Sequence, residues 1–158
     1  MAKDTASLSR KKARTRPARG LHRLLVPLEF TERDRAALEM ALLVAEASRA
    51  STTLLHVVYA PDEVAPRDLP AFYSELSEKG HAKLVRKTAP FRRRHLHVAV
   101  SVLVGKPLEE ILAFARDDAT DLIVLSSHAV DPGRPAPGWN TLSYQVAALC
   151  GCPVLLAK

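Results

Sequence analysis

The chain has 158 residues, 47% of them hydrophobic and 25% charged, which suits one domain with its own core. It holds no apolar run approaching the roughly 20 residues a membrane-spanning helix needs, and no hydrophobic signal-peptide core follows its basic start, so a cytoplasmic home is expected. The net charge of +6 is unevenly spread: residues 1–23 hold eight basic side chains against one acid, Asp4, and the remainder is close to neutral.

Residues 1–21 are polar and basic without hydrophobic periodicity, so a disordered tail is expected there, followed by one domain over 22–158. Such a tail suits weak contact with nucleic acid or another acidic surface through residues 1–23. It carries no aromatic to stack on bases, which favours a solubilising leader.

Within the body, His22 to Leu28 is a short apolar run and reads as strand one. Thr31 opens helix one, with Asp34 three residues on in a capping-box-like place. Leu38, Ala41, Leu42 and Ala45 recur at helical spacing and carry that helix to about Ala50. Thr52 to Tyr59 is β-branched and apolar, a second strand, and Pro61, Pro66 and Pro70 mark a loop after it. Phe72 to Thr88 is amphipathic, with Leu76, Gly80, Leu84 and Val85 on or near one stripe. His95 to Val104 reads as strand three, and Pro107 sits at a natural first position for helix three. Leu122 to Ser126 forms strand four, whose continuous apolar run suits burial on both faces. A Pro-rich loop, a short helix from Thr141 to Leu149 and a strand from Val154 to Ala157 complete the chain. Strands alternating with helices imply βαβ units and a mostly parallel sheet, with ligands met beyond the carboxyl ends of the strands, where Ser126, Ser127 and His128 should stand.

Catalytic signatures are weak. There is no GxSxG, HExxH, P-loop or GxGxxG. Asp117, Asp118 and Asp121 crowd the turn before strand four, at the wrong end for a ligand, and read as capping groups. His56 reads as a hydrogen-bonded packing residue. His95 and His97 would share a strand face but lack a third metal ligand. Cys150 and Cys152 lack CxxC spacing and read as idle thiols.

Four segments nevertheless coincide with a known pattern: LVPLEFT (Leu25–Thr31), TLLHVV (Thr53–Val58), Val104–His128 with its Gly105–Pro107 turn, and CPVLL (Cys152–Leu156). On these the chain resembles a universal stress protein domain. The resemblance implies an α/β fold of the adenine-nucleotide-hydrolase-like type: an open five-stranded parallel sheet in the order 3-2-1-4-5 with helices on both faces. It also implies a homodimer through strand 154–157, a non-enzymatic stress-response or regulatory role, and a pocket formed by Pro27, Glu29, Val58, Gly105, Ser126, Ser127, His128, Ala129, Asn140 and Thr141. Many members bind ATP through a Gly-x-x-Gly, nine-residue, Gly-Ser/Thr pattern after strand four. Here Ser126 and Ala129 stand at the first two glycines, ten residues follow, Asn140 replaces the third glycine, and Glu29 replaces the strand-one aspartate. Alanine and serine resist the positive φ and close approach that glycine allows, and Pro132, Pro135 and Pro137 offer no N–H to an anion. ATP binding is therefore expected to be weakened or lost. No cofactor is expected as obligatory, ATP with Mg²⁺ being the candidate, and an ATP-binding regulatory switch is the alternative reading. Further partners are expected to be proteins.

Overall fold

In the middle of the sheet, alternate residues of two short strands bury opposite faces, and this sets the layering. The computed structural model describes residues 20–128, 132–133 and 140–158. The expectations for most of the basic tail and for Ala129, Pro135 and Pro137 lie outside the described residues. In chain order the elements are β1 (Arg23–Pro27), α1 (Asp34–Ser48), β2 (Ser51–Tyr59), α2 (Pro70–Lys87), α3 (Ala89–Arg93), β3 (Val98–Gly105), α4 (Pro107–Asp117), β4 (Leu122–Ser126), α5 (Leu142–Leu149) and β5 (Val154–Ala157). The strands form one parallel sheet in the order β3-β2-β1-β4-β5, with Leu25 beside Thr53 on one flank and Ile123 on the other. The order reverses between β1 and β4, which opens a crevice at their carboxyl ends.

Leu24 and Val26 of β1 and Leu122 and Val124 of β4 pack into one core layer with the α1 alanines and Leu84 of α2. Leu25, Ile123 and Leu125 turn to the other layer with Ile111 and Ala115 of α4 and Val146 of α5. Ala37, Ala41 and Ala45 are fully buried at four-residue spacing, so α1 presents a small-residue stripe that lets it lie close on the sheet. Each fully buried Leu or Ile contributes about 1.5–3 kcal/mol relative to exposure.

Three local expectations are corrected. First, α1 starts at Asp34, not Thr31. The Asp34 carboxylate is buried and reaches back to accept the amide hydrogens of Glu29 (3.2 Å) and Phe30 (2.7 Å). Those bonds hold the β1–α1 turn, in which Phe30 adopts φ 61°. Second, a short helix, α3, intervenes before strand three, with Pro90 in its first turn. Third, strand three starts at Val98: His95 stands at φ 54°, and the amides of His95 and Leu96 bond back to Arg92 and Phe91. His95 and His97 therefore do not share a strand face, and no group of three or more potential metal ligands is gathered among the described residues.

Asp121, by contrast, does act as a cap. Its carboxylate accepts the amides of His22 and Arg23 at 3.0 Å each, tying the start of β1 to the approach of β4. Among the described residues no helix is long and apolar enough to cross a membrane.

Candidate functional site

The crevice at the β1/β4 reversal widens into a cleft of about 590 Å³. Its floor is made by the ends of three strands: Pro27 to Phe30 after β1, Leu55 to Tyr59 in β2, and Leu125 to His128 at β4. Helix α2 forms one wall with Leu76, Lys79, Gly80 and Lys83, while Pro107 and Ile111 of α4 and Thr141 to Ser143 at the start of α5 form the other.

The two ends differ chemically. Towards α1 and α2 an aromatic step is built: the rings of Phe30 and His56 lie 4.2 Å apart, tilted by 36°. His56 Nδ1 bonds the Leu28 carbonyl at 2.8 Å, which fixes that ring as the packing group the sequence suggested. A Cβ at Gly80 would stand 3.1 Å from the His56 ring, so α2 passes close because this residue has no side chain. Lys83 Nζ lies 5.0 Å from the Phe30 ring centre, a cation–π arrangement. Lys79 pairs with Glu75, whose carboxyl it holds below the usual carboxylate range through a direct hydrogen bond, and Arg33 joins the same end of the cleft. Arg33 and Lys83 thus face the cleft with Glu29 as the acid in its lining, while the charge of Lys79 is shared with Glu75.

Towards α5 the lining is hydroxyl-rich. Ser143 Oγ donates to Ser127 Oγ and lies 3.3 Å from Thr141 Oγ1. The Ser127 amide bonds the Ala157 carbonyl at 2.7 Å, which secures the β4 exit against β5. His128 meets the ring of Tyr144 edge-on at 6.3 Å. An anion placed here would find the amino end of α5 close by.

By sequence, the model of the universal stress protein family matches residues 20–158. The chain belongs to that family. A curated relative, the universal stress protein YxiE of Bacillus subtilis, is 22% identical over 151 residues, covering 87% of this chain and 99% of that one. The structure of universal stress protein UspA from Lactobacillus plantarum aligns with a TM-score of 0.68 at 22% identity, over 87% of this chain and 98% of that one. The universal stress protein from Archaeoglobus fulgidus in complex with dAMP aligns at 0.64 and 15% identity, over 89% and 100%.

Of the positions singled out in this universal stress protein, Pro27, Glu29, Val58, Ser126, Ser127, His128 and Thr141 line the cleft. Gly105 and Asn140 are described but stand outside its lining. A Cβ on Gly105 would lie 2.8 Å from Glu110 Cγ, so the space this glycine leaves is filled by Glu110. Asn140 instead accepts a hydrogen bond from Gln145 Nε2 at 2.9 Å. Thr141 occupies the cap position of α5, although its hydroxyl makes no cap bond to the helix amides. Sequence reading missed Phe30, Arg33, Lys79, Lys83 and Ser143. A signal existed for the α2 wall: Leu76, Lys79, Gly80 and Lys83 fall at helical spacing on one stripe. For Phe30 and Arg33 there was none, because the turn that carries them is shaped by Asp34.

Proposed function

We propose that this universal stress protein is a non-enzymatic regulatory module that acts as a homodimer, with a cleft that takes a nucleotide of low phosphate number and holds ATP weakly. One observation carries the reading: the cleft at the β1/β4 reversal has an aromatic step and a cationic end formed by Arg33, Lys79 and Lys83. An aromatic base finds a stacking surface there, and an anionic group finds cationic side chains at that end and hydroxyls at the other. The dAMP complex of the Archaeoglobus fulgidus protein, on the same fold, supports a nucleoside monophosphate as the ligand class. Against a triphosphate stand the residues after β4. Ser126 and Ala129 replace glycines there, and three prolines remove amide donors where a phosphate chain would need them.

The dimer part rests on β5, which among the described residues ends the sheet beside β4 and offers Val154 to Ala157 as an apolar edge strand. Among the described residues the side-chain bonds of Ser127, Ser143 and His128 give no nucleophile–base pair: Ser143 Oγ donates to Ser127 Oγ, Ser127 Oγ donates to the His128 carbonyl, and the His128 ring meets Tyr144.

Calorimetry with AMP and with ATP plus Mg²⁺ tests the ligand reading. AMP is expected to bind at least as tightly as ATP. An ATP affinity tenfold or more above that of AMP would overturn it in favour of an ATP-binding switch. Steady-state ATP hydrolysis that His128→Ala abolishes would overturn the non-enzymatic reading, and a monomeric mass by light scattering the dimer.

A further inference from the structure

Cys150 ends α5 and Cys152 leads into β5, and their sulfurs lie 3.3 Å apart. Spacing alone marked them as idle, yet the fold turns both side chains to the same point. Both are free thiols and both are half-buried, packed against the layer formed by α4, α5 and the sheet. Between them Gly151 is exposed, and a Cβ there would meet nothing within 4 Å. Gly151 and Cys152 belong to neither helix nor strand, and the sheet bond nearest them is the one the Pro153 carbonyl accepts from the Ile123 amide at 3.0 Å.

We infer that Cys150 and Cys152 form a reversible thiol–disulfide site whose oxidant is a small hydroperoxide. The Cys150 sulfur, as thiolate, attacks one peroxide oxygen. The O–O bond breaks, the other oxygen leaves as an alcohol (water, for hydrogen peroxide) after taking a proton, and Cys150 becomes a sulfenic acid. The Cys152 sulfur then gives up its proton, attacks the Cys150 sulfur and displaces the hydroxyl as water. Two thiols and one hydroperoxide yield one disulfide, one alcohol and one water. The sulfurs together lose the two electrons that the O–O bond takes up.

The order of the steps follows from the surroundings. Burial, reinforced by the hydrogen bond to Cys150 and by the charge of Asp121, pushes the Cys152 thiol up to about 12. It therefore keeps its proton near neutral pH, and first attack falls to Cys150. Bond formation then requires the sulfurs to close by roughly 1.2 Å, to the 2.05 Å of a disulfide. Gly151 is the residue placed to absorb that movement. The bridge would tie the end of α5 to the start of β5, whose first residue pairs with Ile123 in the sheet.

The test uses the full chain, reduced and then treated with one equivalent of hydrogen peroxide. Both thiols are expected to disappear together from a thiol titration. Mass spectrometry should show a loss of two hydrogens with a Cys150–Cys152 linked peptide, and dithiothreitol should restore both thiols. Cys152→Ser is expected to stop at a sulfenic acid on Cys150, trapped by dimedone. Cys150→Ser is expected to react more slowly than Cys152→Ser, because burial still favours the protonated form of the remaining thiol. Sulfinic or sulfonic acids without a disulfide, cross-links only between chains, or equal peroxide rates in the two single variants would each overturn the inference. Circular dichroism of both variants establishes that they are folded, and the wild-type thiol count decides the matter without them.

Discussion

Asp34 is the side chain on which the shape of the cleft most depends. Its carboxylate is buried and takes two backbone hydrogens, from Glu29 at 3.2 Å and Phe30 at 2.7 Å. Hydrogen bonds to a charged acceptor contribute about 1.5–3 kcal/mol each. The Glu29 bond is long, and Glu29 itself is exposed, so it belongs at or below the bottom of that range. Phe30 sits in the left-handed region at φ 61°, a conformation that costs a non-glycine residue about 1–2 kcal/mol and that Asp34 holds in place. Asp34→Ala is therefore expected to destabilise the protein by about 3 kcal/mol, a fall in Tm of roughly 6–12 °C for a domain of this size. Urea unfolding followed by far-ultraviolet circular dichroism measures it. The same variant frees the ring that stacks on His56 and sits beneath Lys83, so AMP affinity should fall with stability. Asp34→Asn keeps one acceptor oxygen and should lose about half as much. A stability change below about 0.5 kcal/mol for Asp34→Ala, the size of a surface substitution, would refute this account of the turn.

Ile123→Ala, at a fully buried position beside Leu25, should cost about 2–5 kcal/mol in urea unfolding. Asp121→Ala removes the acceptor for the His22 and Arg23 amides in an exposed setting and should cost about 1–2 kcal/mol by the same assay. Cys152 keeps its proton in the fold up to about 12 and releases it near its ordinary 9.0 when unfolded. Above pH 9 the unfolded chain thus binds fewer protons, so stability should decline as pH rises through that window, and Cys152→Ser should flatten the slope. In calorimetry, Lys79→Met combined with Lys83→Met should weaken AMP binding about three- to tenfold at low salt, with less effect as salt rises.

Much of the architecture was written in local pattern. The apolar runs at Leu122–Leu125 and Thr53–Val58 suited buried strands, and the helical spacing of Leu38, Ala41, Leu42 and Ala45 named the face that α1 turns inward. The departures from the glycine pattern after strand four were likewise visible residue by residue. Short-range capping was less legible. Thr31 looked like the opening of a helix, but the helix begins at Asp34 because that carboxylate satisfies amides behind it, and no one-dimensional period reports such a bond. Strand three lost His95 and His97 for a similar reason, since α3 and the left-handed turn at His95 are stabilised by backbone bonds to Phe91 and Arg92.

By itself the sequence determined the class of fold, the alternation of its main strands and helices and the end of the sheet at which the cleft opens, because periodicity and turn chemistry act between near neighbours. Only the tertiary structure decided that Lys79 and Lys83 of α2 face the same cleft as Arg33 and Ser127, and that Cys150 and Cys152 aim their sulfurs at one another. Those arrangements depend on how helices dock across the sheet and how a short connection bends, and packing over long chain separations sets both.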